Sequence, residues 1–143
     1  MGKVTVTVNN LYPGKVPGKL IGRLKRTVRR VAGNGQRGAG SKEVSVTFVD
    51  DKYIRALNKR FRRLDKATDV LSFEMDDKKM LGDIVISVDS AKRNAKRFKV
   101  SFDDEVLRLV VHGTLHLLGF DHLKAKERAI MRVKEQDHLE KIL

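Results

Sequence analysis

The eleven residues HGTLHLLGFDH, from 112 to 122, limit this chain more than any other feature. They hold three of its four histidines. His112 and His116 are four apart, so on a helix they share one face, a turn apart. That pairing suits two imidazole nitrogens bonding one ion at about 2 Å. Gly119 can end the helix in a left-handed turn and swing the chain back, so that His122 reaches the same ion from the loop. Three neutral imidazoles bind zinc and leave a fourth position for water, whose pKa zinc lowers toward about 7. A lone histidine on an apolar helix face is usually a satisfied core residue, but three at this spacing beside a glycine stop point to a metal. With no cysteine in the chain, disulfides, thiolate zinc sites and a cysteine nucleophile are excluded. Asp121 has three roles open to it: a fourth ligand that closes a structural site, a carboxylate that orients a ligand histidine, or a cap for the last helix. His138, far along that helix, is expected at the surface.

The rest of the chain supplies a scaffold of ordinary periodicities. Val4, Val6 and Val8 alternate in a strand from Lys3 to Asn9. Leu20, Ile21, Leu24, Val28 and Val31 recur at helical spacing between Gly18 and Val31. The glycine-rich stretch Gly33 to Lys42 is a loop whose spacing is not a phosphate-binding fingerprint. Val44 to Phe48 is a second strand. Asp50 or Asp51 caps a helix through Arg60, with a loop from Phe61 to Asp69. Val70 to Phe73 and Gly82 to Ser87 are strands around a polar turn at Asp76 to Lys79. Three helices follow: Asp89 to Phe98, a helix capped by Ser101 and running to about Leu118, and about Lys124 to Leu139. The order βαβαββααα predicts one α+β domain over residues 1–143, a mixed sheet of about four strands covered by helices.

Charge points to a polyanionic partner. Lys and Arg number 31 against 18 Asp and Glu, a net of +13. From Met1 to Lys42 there are ten basic residues and no acid, whereas the remainder carries 21 basic and 18 acidic residues. The excess lies almost wholly on those first 42 residues, whose helix carries Lys19, Arg23, Lys25, Arg26, Arg29 and Arg30 on an outer face suited to tracking phosphates or simply to solvent. Arg26 and Arg30 are the substrate-contact candidates there. No segment reaches the roughly 18 apolar residues of a membrane span, and MGKVTVTVNN has no apolar signal-peptide core. The expectation is a soluble, cytoplasmic protein with no membrane partner and no DNA partner.

Two known families share the histidine spacing. It matches the metzincin protease pattern H-E-x-x-H-x-x-G-x-x-H except that Gly113 stands where the protease has its general-base glutamate. More specifically, HGTLHLLGFDH resembles the signature of the YbeY family, endoribonucleases and rRNA maturation factors of bacteria and organelles. LNKRFRRLDKATDVLSF, Leu57 to Phe73, resembles that family's LN-x-x-[YF]-R-x-x-D-x-x-T-[DN]-VLSF stretch, and GDIVIS, Gly82 to Ser87, its following strand. Phe120 stands where many members have Tyr, and Ala67 where many have Pro.

The resemblance implies an α+β fold with the histidines on a central helix, and that His112, His116 and His122 ligate zinc or another divalent ion in a cleft. It implies that Arg62 is the functional arginine beside the metal cleft, able to fork onto phosphate oxygens and offset transition-state charge. His116 and Arg62 are then the catalytic candidates, with Arg62 also touching substrate; Thr68, Asp69 and Ser72 are read from their residue types as either hydrogen-bonding supports or plain loop and strand polar residues. The implied function is a metal-dependent, single-strand-specific endoribonuclease. Its partners are rRNA and the small ribosomal subunit, in 3′-end processing and ribosome quality control. A zinc peptidase and a non-catalytic assembly factor with a structural metal are the alternatives. Aromatics are only 6% of the chain and show no stacking pattern, so RNA contact is expected to rest on charge and shape.

Overall fold

Alternation builds the sheet. In β1 (Val4–Asn10) Val4 and Val6 are buried while Thr5 and Thr7 face out. In β2 (Lys42–Val49) Val44, Val46 and Phe48 are buried. The two strands run parallel with Val6 opposite Val44, and a parallel pair needs a crossover, which is α1 (Gly18–Gly35). The computed structural model describes residues 3–35, 42–75, 79–120 and 125–142. Within them β4 (Met80–Ser87) pairs parallel with β2, and β3 (Val70–Glu74) pairs antiparallel with β4 at the edge. The strand order is β1-β2-β4-β3. The remaining helices are α2 (Asp51–Arg62), α3 (Val88–Phe98), α4 (Phe102–Leu117) and α5 (Ala125–Ile142). This is the mixed four-stranded α+β architecture that the periodicities predict, in the predicted element order.

The sheet is apolar on both faces. Val4, Val6, Val44, Val46, Phe48, Ile84 and Ile86 meet Leu20, Leu24 and Val28 of α1 and Val106 and Val110 of α4. On the other face Val49, Leu71 and Val85 meet Ile54 of α2. Helix α4 therefore lies inside the molecule, against the sheet on one side and between α1 and α5 on others. That central place makes its side chains a fixed platform.

Three expectations change. Helix α2 runs past Arg60 through Arg62, so Phe61 and Arg62 belong to its last turn and not to a loop. No Gly or Asn marks the stop: Arg63 itself takes the left-handed conformation, φ 59, and donates its N–H to the Asn58 carbonyl. Helix α1 extends beyond Val31 to Gly35, and Lys42, expected in the glycine loop, opens β2; residues 36–41 of that loop, like residues 76–78 of the polar turn, lie outside the described residues. His138 is buried, not exposed. The inner face of α5 runs through Met131, Glu135, His138 and Ile142, a helical spacing hidden by its mixed polarity. Among the described residues His138 Nδ1 has no hydrogen-bond partner. Burial pushes the imidazole below its ordinary pKa; Asp137 opposes this, while Lys141, Arg30 and Lys134 reinforce it.

Candidate active site

Local signals set the histidine helix. Ser101 Oγ accepts the Asp104 N–H at 3.0 Å, and Asp103, Asp104 and Glu105 fill the positive first turn of α4. From Glu105 to Leu117 every residue is buried except Arg108, His112 and His116. These three are four apart, so one half-open stripe runs along an otherwise enclosed helix. The imidazole centroids of His112 and His116 are 4.9 Å apart, with the rings inclined at 63°. At the far end Gly119 adopts φ +96. Its N–H bonds the His116 carbonyl at 3.0 Å, and the Phe120 N–H bonds the Leu115 carbonyl at 3.1 Å. This is a Schellman stop, and Phe120 and Leu115 pack together beside it. The turn sends the chain back immediately after His116. His122 and Asp121 lie outside the described residues.

Gly113, between the two histidines, faces the sheet. A Cβ there would lie 2.9 Å from Ile84 Cγ2 and 3.1 Å from Ser72 Oγ. The missing side chain is what lets α4 settle on β3 and β4. Ser72 Oγ donates to the Gly113 carbonyl at 3.1 Å, and the Ser72 carbonyl accepts from Arg62 Nη2 at 2.7 Å. Ser72 thus ties Arg62 to the histidine helix from its two ends. The Arg62 guanidinium also lies 5.4 Å from the Phe73 ring centroid.

Carboxylates complete the surroundings. Glu135 of α5 meets His112 Nδ1, an orientation that turns Nε2 toward a ligand role. Arg108, one turn before His112, makes two 2.8 Å bonds to Glu105, which is 1% exposed. Those bonds hold its guanidinium more firmly charged against the cost of burial, and Asp69 and Glu135 add attraction. Asn94 bridges Asp69 and Glu105 at 3.1 and 2.9 Å. Asp69 therefore braces α4 through Asn94 and Arg108. The Thr68 carbonyl accepts from Ser90. Arg26 and Arg30 are exposed on α1, which covers the β1 side, whereas Arg62 stands at the β3 edge. These two arginines and Arg62 lie on opposite sides of α4.

The donor chemistry fits a divalent ion. Two imidazoles share one face a turn apart, and a carboxylate sets the orientation of one of them. Among the described residues no cluster of three or more ligating side chains occurs; the third expected ligand, His122, is beyond them.

Residues 15–143 match the profile of the family described as endoribonuclease YbeY. The chain belongs to the YbeY family. It is 40% identical to the endoribonuclease YbeY of Desulforamulus reducens, over 97% of both chains. It is 51% identical to that of Aquifex aeolicus over 63% of each. A solution structure from Thermotoga maritima superposes with a TM-score of 0.67 at 30% identity, covering 96% of this chain and 89% of that one. Within this YbeY scaffold, Glu135 and Arg108 escaped the sequence reading. Arg108 had a signal, since it continues the four-residue spacing of the histidines. Glu135 had none, because only the packing of α5 brings it to His112.

Proposed function

We propose that the chain is a cytoplasmic, metal-dependent endoribonuclease specific for single strands. Its substrate in this reading is rRNA on the small ribosomal subunit, with the 3′ end as the processing site and ribosome quality control as a further role. The supporting observation is the Ser72 junction, which ties the Arg62 guanidinium to the backbone of α4 between the two histidines. Membership of an endoribonuclease family supplies the substrate class.

The chemistry follows from the side chains. Arg62 has five N–H donors. One bond to the Ser72 carbonyl fixes its position, and the planar fork suits the two non-bridging oxygens of a phosphodiester. Its permanent charge stabilises the additional negative charge of the transition state. His112, His116 and His122 would hold zinc, which when bound supplies a Lewis acid at the phosphoryl oxygen. Glu135 fixes the tautomer and tilt of His112. Ser72 keeps Arg62 and α4 in register, so the clamp and the imidazoles move as one unit.

Arg62→Glu tests the clamp. The expected result is metal content like wild type and RNA cleavage lower by about 100-fold or more, the loss typical of one transition-state donor. Arg62→Lys keeps the charge but not the fork and should fall between the two. Metal-loaded Arg62→Glu that cleaves at the wild-type rate removes the arginine from the mechanism.

A further inference from the structure

The fold assembles an aromatic pair beside Arg62. Phe61, on the last turn of α2, and Phe73, on β3, pack edge to face with centroids 5.4 Å apart. Phe61 is nevertheless 55% exposed. Exposed phenylalanine is costly to leave in water, and this one is held in place rather than left loose. The Arg60 guanidinium lies 5.2 Å from its ring, and the Arg62 guanidinium lies 5.4 Å from the Phe73 ring. From Lys59 to Lys66 there are five cations and one carboxylate. That carboxylate, Asp65, is already paired with Arg55 at 2.9 Å. An apolar ring framed by guanidinium groups, next to the arginine that meets the scissile phosphate, matches the chemistry of an unpaired nucleotide. The base has a π-face for the ring, and its flanking phosphates meet the cations.

We propose that Phe61, braced by Phe73, is the stacking platform for one unpaired base of the RNA beside the scissile bond. It is thereby the residue that makes the site prefer single strands. A base inside a duplex is already stacked and paired, so it cannot lie on Phe61 without being pulled out at a cost of a few kcal/mol. An unpaired base meets no such cost. Cations alone bind duplex and single strand alike, so selectivity needs a group that acts on the base. The inference rests on the RNA-cleaving reading above and assigns its strand selectivity to a single ring.

The test uses binding, which does not depend on turnover. A 2′-O-methyl single strand carrying 2-aminopurine, shown by gel to stay intact during the titration, is titrated with metal-loaded wild type, Phe61→Leu and Phe61→Trp, alongside the same strand in a duplex. Stacking quenches 2-aminopurine. Phe61→Leu, which keeps an apolar side chain without the π-face, should bind the single strand about tenfold more weakly and lose the quench. Its duplex affinity should match wild type, and Phe61→Trp should retain both affinity and quench. The ring is exposed, so the fold should tolerate all these changes, and circular dichroism checks that. Phe61→Leu with wild-type single-strand affinity and quench overturns the platform while leaving the nuclease reading intact, and so does an equal loss on both strands. Wild type that binds neither RNA overturns both.

Discussion

His116→Ala is expected to lose the metal and, with it, RNA cleavage. Metal catalysis contributes several kcal/mol of charge stabilisation. At 1.36 kcal/mol per tenfold, a loss of about 4 kcal/mol is about a thousandfold in rate. The fold itself should survive. His116 is half-exposed, and α4 is held by its buried apolar residues and by the stops at Ser101 and Gly119. Without metal, the variant should therefore melt close to wild type. The difference appears on adding zinc. Metal in large excess over its dissociation constant stabilises the wild type by about 3–4 kcal/mol, and the variant should gain little. Thermal melts with and without zinc, beside metal content and cleavage rates, separate a lost ligand from a damaged fold. A His116→Ala protein that retains stoichiometric zinc would require a different ligand set.

Gly113→Glu is expected to prevent stable folding. Even Gly113→Ala places a methyl 2.9 Å from Ile84 Cγ2 and 3.1 Å from Ser72 Oγ. Neither neighbour is the end of a long flexible chain. Alanine gains about 1 kcal/mol in helix propensity, but overpacking costs about 1–3 kcal/mol, so a small net loss and a lower melting temperature are expected. Glutamate adds a buried charge to the same collision, for a destabilisation above about 4 kcal/mol. The same geometry bears on the peptidase reading. A metzincin places its general base at this position, whereas here the position points into the sheet. Restoring the protease motif should thus give an unstable protein rather than a peptidase. A Gly113→Glu variant that melts like wild type and cleaves peptides in proportion to its zinc would contradict this.

What the sequence revealed was mostly local. The β1 and β2 strands, the α1 stripe, the Ser101 cap, the Gly119 stop and the pairing of His112 with His116 each lie within a few residues, where periodicity and capping chemistry act. What it concealed depends on packing. Ser72 meets Gly113 across 41 positions and Glu135 meets His112 across 23. Phe61 and Phe73 carry no stacking signature until α2 lies against β3. The end of α2 carries no local stop signal, because an arginine, rather than a glycine, takes the left-handed cap. His138 looked like a surface residue because the inward face of α5 mixes Met131 and Ile142 with Glu135 and His138 itself. The basic α1 face was legible, but its position across α4 from Arg62 was not. Arg26 and Arg30 are exposed on α1, away from the β3 edge where Arg62 stands.

The most direct test of the proposed metal dependence is cleavage of a single-stranded RNA by the purified wild type before metal removal, after it, and after zinc is restored, with metal measured on each sample. The account predicts cleavage that disappears with the metal and returns with zinc. A metal-free protein that cuts at the full rate, or a zinc-replete one that leaves the RNA intact, would contradict it.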